Sequence, residues 1–141
     1  MNYDDFLKTP RPCPFDDAMG KGIITENDVG YITYSLAPYH PDHLLVIPKR
    51  HIEEILDVTE KEEAGLYALI HKALKMLHQL GYKDMSVLVR DGEDGMKTVA
   101  HLHYNIIPKT HLGDIDHQGI KRALLSAEEE QAVFDRMKAV V

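Results

Sequence analysis

Met85-Ser86-Val87-Leu88-Val89-Arg90, then Asp91-Gly92-Glu93-Asp94-Gly95, then Val99 onward to Ile107 before Pro108, is the stretch that decides the fold. Apolar and β-branched residues fill its two ends and glycines with acidic residues its middle, so it reads as two strands paired antiparallel across a tight loop. Before it, Thr59-Glu60-Lys61-Glu62 is a capping box, and Leu66, Leu69, Ile70, Ala73, Leu77 and Leu80 recur at spacings of three and four. That spacing predicts a long helix with one apolar stripe, which Gly81 ends. Earlier still, the run His43-Leu44-Leu45-Val46-Ile47-Pro48 is continuously apolar after its histidine, as a central strand is, and a short helical turn over 52–56 follows it. Ile23-Ile24 and Val29-Gly30-Tyr31-Ile32-Thr33-Tyr34 flank the turn-like Glu26-Asn27-Asp28 and read as a hairpin. Toward the other end, 109–125 is irregular and Ser126-Ala127-Glu128-Glu129 opens a terminal helix reaching Lys138. Strands and helices in this order, without strict βα alternation, predict an α+β fold.

The chain has 141 residues, 44% of them hydrophobic and 28% charged, enough for one core; the reading is a single domain over 1–141. Residues 1–20, with Pro10, Pro12 and Pro14 around Cys13, form an irregular arm, and 109–141 a C-terminal loop and helix. The 23 acidic against 16 basic side chains give a net charge of −7, which repels the phosphates of nucleic acid and of anionic lipid. No nucleic-acid or membrane partner is therefore expected, and any bound anion must be met by a local site. A lone cysteine, and a start without the basic and apolar regions of a signal peptide, suggest a cytoplasmic protein.

The chemistry concentrates in His101-Leu102-His103-Tyr104-Asn105-Ile106-Ile107-Pro108. Side chains two apart in a strand share a face, so His101, His103 and Asn105 form one polar row that can hold an imidazole rigidly with hydrogen-bond donors beside it. With nine histidines in the chain, an H-x-H pair alone is a weak signal, and such a row on a plain sheet is merely its wet face. The pair gains weight from the Gly-rich loop before it and from His43 and His51, which bracket the other apolar strand.

Together, the segment from His43 to His51 and the region from Asp91-Gly92 to Ile107-Pro108 resemble the two motifs of the histidine triad family, in order and at family spacing, over about residues 22–108. The resemblance implies a five-stranded antiparallel sheet carrying one long helix and a C-terminal helix. It also implies a homodimer that binds a nucleotide and splits or transfers its α-phosphate. In that pattern His103 is the nucleophile and forms a covalent nucleotidyl-histidine. Its other ring nitrogen donates to a backbone carbonyl of the same strand, His101 flanks it, and His43 approaches from the neighbouring strand. A neutral imidazole is nucleophilic near pH 7, and a covalent intermediate divides one hard displacement into two. The activity implied is a hydrolase or nucleotidyltransferase acting on a nucleoside polyphosphate or dinucleoside polyphosphate. The alternatives are a phosphorylase, or a nucleotide-binding protein whose catalysis has weakened.

Several positions depart from the family pattern. Asn105 stands where the third histidine is expected, and an amide donates hydrogen bonds but carries no proton charge. Arg90 replaces a common asparagine, and Met96-Lys97-Thr98 replaces glycine, glutamine and serine. Lys97 and Arg90 would add cations for a polyphosphate, or else lie as solvated charges paired with Asp91 or Asp94. Thr98 can still donate to a leaving group. Ser35 occupies the place of a ribose-gripping carboxylate or amide. No cofactor is required by the reading. Relatives hold structural zinc with two cysteines and two histidines; the corresponding set here is Cys13, Asp16, His51 and His101, feasible for zinc but weaker for its carboxylate, and the bland alternative is a buried thiol.

Overall fold

The structure, a computed structural model, describes residues 5, 13–16, 22–92, 99–109 and 123–140. The chain divides into two compact units, 1–110 and 111–141. The first holds a five-stranded, wholly antiparallel sheet: β1 (Thr25–Glu26), β2 (Gly30–Tyr34), β3 (Leu44–Pro48), β4 (Met85–Val89) and β5 (Tyr104–Pro108), in the spatial order β1-β2-β3-β5-β4. A 3-10 turn at Ile55–Asp57 and the long helix α1 (Glu60–Gln79) lie between β3 and β4. This is the α+β architecture the sequence predicts.

β3 is the centre, and it is buried throughout because both of its faces are covered. On one face Ile32, Leu44, Val46 and Ile106 pack against Leu66, Leu69, Ile70, Ala73 and Leu77 of α1, the stripe read from the sequence except for its last member, Leu80, which stands exposed at the helix C-cap. On the other, Tyr31, Leu45 and Ile47 pack against Ile23 and Phe15. Each large apolar side chain so buried contributes about 1.5–3 kcal/mol.

Local chemistry fixes the ends of these elements. The Thr59 hydroxyl accepts from the Glu62 amide while the Glu62 carboxylate accepts from the Thr59 amide, which is the capping box in full. At the other end of α1, Gly81 takes φ +96, and the amides of Gly81 and Tyr82 return to the carbonyls of His78 and Leu77. In the hairpin turn, Asn27 Oδ1 accepts from the amides of Val29 and Gly30.

The arm is not loose where it is described. Cys13 to Asp16 form a turn closed by the Asp16 amide on the Cys13 carbonyl, and the Tyr31 hydroxyl donates to the Phe15 carbonyl at 2.8 Å. In the second unit, α2 (Ala127–Lys138) is capped by Ser126 with the reciprocal Glu129 bond.

The sequence predicts the last strand over 99–107, but it begins at Tyr104 and runs to Pro108, and residues 99–103 run outside the ladder. β3 ends at Pro48, which has no amide hydrogen to offer a further rung. Its carbonyl is taken by the ring of His101, and the Leu102 amide bonds the Ile52 carbonyl instead.

Candidate active site

The register places Asn105 opposite Leu45, so Asn105 belongs to the sheet face opposite α1. His43 lies two residues before Leu45 on the same face, and its Nε2 is 2.9 Å from Asn105 Oδ1. The Tyr39 amide, which can only donate, points at His43 Nδ1 at 3.3 Å. His43 is therefore bare at Nδ1, and its Nε2–H donates to Asn105. That settles the Asn105 amide as well, whose Nδ2 donates to the Leu88 carbonyl at 3.2 Å. Burial pushes the His43 imidazole below its ordinary pKa, the Asn105 bond pulls back part of the way, and nearby His103 adds to the depression. His43 is thus neutral at pH 7.

His103 sits just before β5, half-buried. Its Nδ1 lies 2.8 Å from the His101 carbonyl. A carbonyl only accepts, so Nδ1 carries a proton, and in the uncharged form of the ring the lone pair is on Nε2. The Phe15 ring meets His103 edge-on at 5.2 Å.

His101 is fully buried, and its ring does not stand beside His103 as a phosphate donor. Nε2 donates to the Pro48 carbonyl at 2.9 Å, while Nδ1 faces Asp16 Oδ1 at 2.9 Å and Cys13 Sγ at 3.5 Å. Its contribution to the nucleophile comes from its main chain. Burial lowers the His101 pKa, opposed by the Pro48 and Asp16 contacts. His51 completes a second cluster through its Nδ1, 2.8 Å from the same Asp16 oxygen.

The donor atoms of Cys13, Asp16, His51 and His101 all lie within 4.8 Å of one another. One sulfur, two imidazole nitrogens and one carboxylate oxygen are ordinary zinc ligands, and bonds of about 2.0–2.3 Å in a tetrahedron leave ligand atoms about 3.3–3.8 Å apart. The residues fit such an ion. The Asp16 bond raises the His51 pKa. Desolvation pulls the Asp16 carboxyl upward, but the contacts with His51 and His101 outweigh it and hold the group below its ordinary value.

Of the other residues singled out in the sequence, Ser35 follows β2 and its amide donates to the His43 carbonyl at 3.1 Å, which puts it beside the histidine. Arg90 is exposed directly after β4, and neighbouring Asp91 accepts from the Ile55 amide. Lys97 and Thr98 lie outside the described residues, as does Asp94. Sequence reasoning missed the stacking of the Tyr39 ring on His43, at 5.9 Å, and the contact of the Phe15 ring with His103. The turn closed by the His43 amide on the His40 carbonyl brings Tyr39 back over the histidine, and Pro41-Asp42 was its visible signal.

Residues 19–112 match the HIT domain family, the histidine triad proteins. The chain belongs to this family. Three curated relatives show where in the family the likeness lies. One is the nitrilase and fragile histidine triad fusion protein NitFhit of Caenorhabditis elegans, 32% identical over 101 residues, 71% of this chain and 23% of that protein. Another is an asymmetrical bis(5'-nucleosyl)-tetraphosphatase of Schizosaccharomyces pombe, 33% identical over 92 residues, 64% of this chain and 50% of that one. The third is an AP-4-A phosphorylase of Mycobacterium tuberculosis, 29% identical over 89 residues, 62% and 46% respectively. The chain thus spans half or less of the length of these relatives. A HIT family protein from Bacillus subtilis has the same fold at a TM-score of 0.72 and 20% identity, covering 93% of this chain and 98% of that one. Among the described residues, no helix of this HIT protein is long and apolar enough to cross a membrane.

Proposed function

We propose that this HIT protein is a nucleotide hydrolase or nucleotidyltransferase that acts at the α-phosphate of a nucleoside polyphosphate, with dinucleoside polyphosphates among its substrates. The observation that carries the reading is the 2.8 Å bond from His103 Nδ1 to the His101 carbonyl, which puts the proton on Nδ1 and makes Nε2 the nitrogen whose lone pair can attack. The tetraphosphatase and the phosphorylase among its relatives support the substrate class.

In the first step the Nε2 lone pair forms a bond to the α-phosphorus, and the bond from phosphorus to the bridging oxygen breaks. That oxygen leaves with its electron pair, as a phosphate anion that exchanges protons with solvent, and the Thr98 hydroxyl is assigned to donate a hydrogen bond to it. In the second step water or inorganic phosphate attacks the same phosphorus and releases its proton to solvent, while the P–N bond breaks and its electrons return to Nε2. Asn105, read here as standing in for the third triad histidine, donates no proton to the leaving group. It fixes the direction of His43 instead. Lys97, Arg90 and Ser35 are assigned to the polyphosphate and ribose. The homodimer and the cytoplasmic setting expected from the sequence belong to the same proposal.

Trapping tests it. An α-labelled dinucleoside tetraphosphate is mixed with the protein, quenched in alkali and digested; mass spectrometry should find a nucleotidyl group on His103, and His103→Ala should lower turnover by about a thousandfold or more. Turnover that survives in His103→Ala removes the mechanism. Adding inorganic phosphate separates the two acceptors: a nucleoside diphosphate product identifies phosphorolysis, a monophosphate hydrolysis.

A further inference from the structure

Behind the site, a contact from the end of α1 holds the turn that faces His43. Side chains alternate along the chain entering β3, so that Leu45 and His43 lie on the site face and Leu44 and Asp42 on the face that α1 covers. There the Tyr82 hydroxyl donates to Asp42 Oδ2. Tyr82 is itself well fixed: its amide returns to the Leu77 carbonyl at 3.2 Å just after Gly81 turns the chain, and its ring packs against the core beneath α1. The carboxylate raises the Tyr82 pKa, so the hydroxyl keeps its proton and remains the donor.

Three contacts carry the position of Asp42 forward. Its amide donates to His40 Nδ1 at 3.0 Å, the His40 ring meets the Tyr82 ring edge-on at 5.3 Å, and the His40 carbonyl accepts the His43 amide at 3.0 Å. The turn so closed sets the Tyr39 amide on His43 Nδ1 at 3.3 Å and stacks the Tyr39 ring on the imidazole. Tyr39 is exposed, so packing alone does not hold it there.

We infer that Tyr82 is a positioning residue for the site: by pinning Asp42 it holds the 39–43 turn in the shape that keeps the Tyr39 amide on His43 Nδ1, and with it the His43 proton on Nε2, facing Asn105. This rests on the reading of the site as catalytic, which places His43 and Asn105 beside His103. Without the hydroxyl the turn opens, Tyr39 leaves the ring and Nδ1 competes for the proton. An Nδ1–H imidazole presents a lone pair to Asn105 Oδ1, so the amide has to rotate and give up its bond to the Leu88 carbonyl. A hydroxyl on the far face of the sheet thereby orders the polar row beside the nucleophile.

Tyr82→Phe keeps the ring in the core and removes only the hydroxyl, Asp42→Ala removes the other partner, and Asp42→Asn keeps an acceptor. Long-range ¹H–¹⁵N imidazole spectra of His43 should show the Nε2–H form alone in the wild type and in Asp42→Asn, and both neutral tautomers in Tyr82→Phe and Asp42→Ala. With a dinucleoside tetraphosphate, kcat should fall about three- to tenfold in the latter two while KM stays within about twofold, and the double variant should be no worse than either single one. Lys72→Met, which removes a different hydrogen bond of α1, to Thr25 of β1, should leave the spectrum and kcat as in the wild type. An unchanged His43 tautomer in both Tyr82→Phe and Asp42→Ala overturns the inference, whatever happens to their melting temperatures. Mixed tautomers with a wild-type kcat overturn it too, since the bond would then order His43 without serving the reaction. If the wild type turns nothing over, the catalytic reading has failed, and the spectra alone decide whether Tyr82 sets His43.

Discussion

At the scale of single residues, the hydrogen bonds around His43 turn a substitution at Asn105 into a directional test. His43 takes a proton from no one at Nε2: it donates there to Asn105 Oδ1 and accepts the Tyr39 amide at Nδ1. Asn105→Ala removes the bond that pulls the His43 pKa upward, so the value should fall below that of the wild type. Asn105→Asp should drive it the other way by placing an anion 2.9 Å from the ring. Once protonated at Nδ1, His43 would oppose the Tyr39 amide with a second donor, and the stacking of Tyr39 should loosen. The aspartate also repels a polyphosphate, so turnover should drop about tenfold or more in Asn105→Asp. Titrating the imidazole resonances checks the order alanine, asparagine, aspartate; one titration curve shared by all three would show that Asn105 does not govern His43. This dependence was only half legible in the sequence. The residue types and their two-residue spacing were visible, but the partner of each ring was not. His101 reaches Pro48, Cys13 and Asp16 across more than fifty residues of chain, and no local periodicity encodes such contacts.

Among the elements, the docking of α1 on the hairpin turn depends on Gly65 having no side chain. A Cβ there would lie 2.1 Å from Val29 Cγ2, and the Gly65 carbonyl accepts from Asn27 Nδ2 at 2.9 Å. Glycine inside a helix ordinarily costs about 1 kcal/mol relative to alanine. At this position the sign reverses, because forcing a methyl against a stiff β-branched side chain costs about 1–3 kcal/mol. Gly65→Ala should therefore lower stability in denaturant melts, while in a Val29→Ala background the same change should become neutral or stabilising. A uniform effect of Gly65→Ala in both backgrounds would place the clash elsewhere. The elements themselves were the most legible part of the chain. Capping boxes at Thr59 and Ser126, the three-and-four stripe of α1 and the continuous apolar run of β3 are local signals, and each element formed where its signal stood. The strand that was misjudged, β5, fails the same criterion: its start is set by Pro48 running out of amide hydrogens on another strand, so the sequence around residues 99–103 still reads as extended.

Across the first unit as a whole, one ion pair ties the loop after β3 to the helix that covers the sheet. Arg50 Nε and Nη2 donate to the two oxygens of Glu62 at 3.0 and 2.8 Å, and Nη2 also donates to the Asp57 carbonyl at 2.7 Å. Glu62 is nearly buried and caps α1 as well, so its carboxylate serves the helix end and the loop together. The Arg50 bonds hold it well below its usual range, at about 2, against a reference of 4.5. With the folded value depressed, the unfolded chain takes up the proton first as pH falls. The stability this group contributes is complete above about pH 5 and disappears between 4.5 and about 2. Because Arg50 neighbours His51, loosening the pair also frees the loop that holds one of the clustered imidazoles. Glu62→Gln keeps the size and one acceptor but loses the charge, so its Tm should lie a few degrees below the wild type at pH 7 and the gap should close toward pH 2. Thermal melts of both proteins in steps from pH 7 to pH 2 measure this, with salt held constant because the Arg50 side of the pair is open to solvent. A gap that stays constant across that range would mean that Glu62 acts through shape alone and that the acid sensitivity arises at other carboxylates.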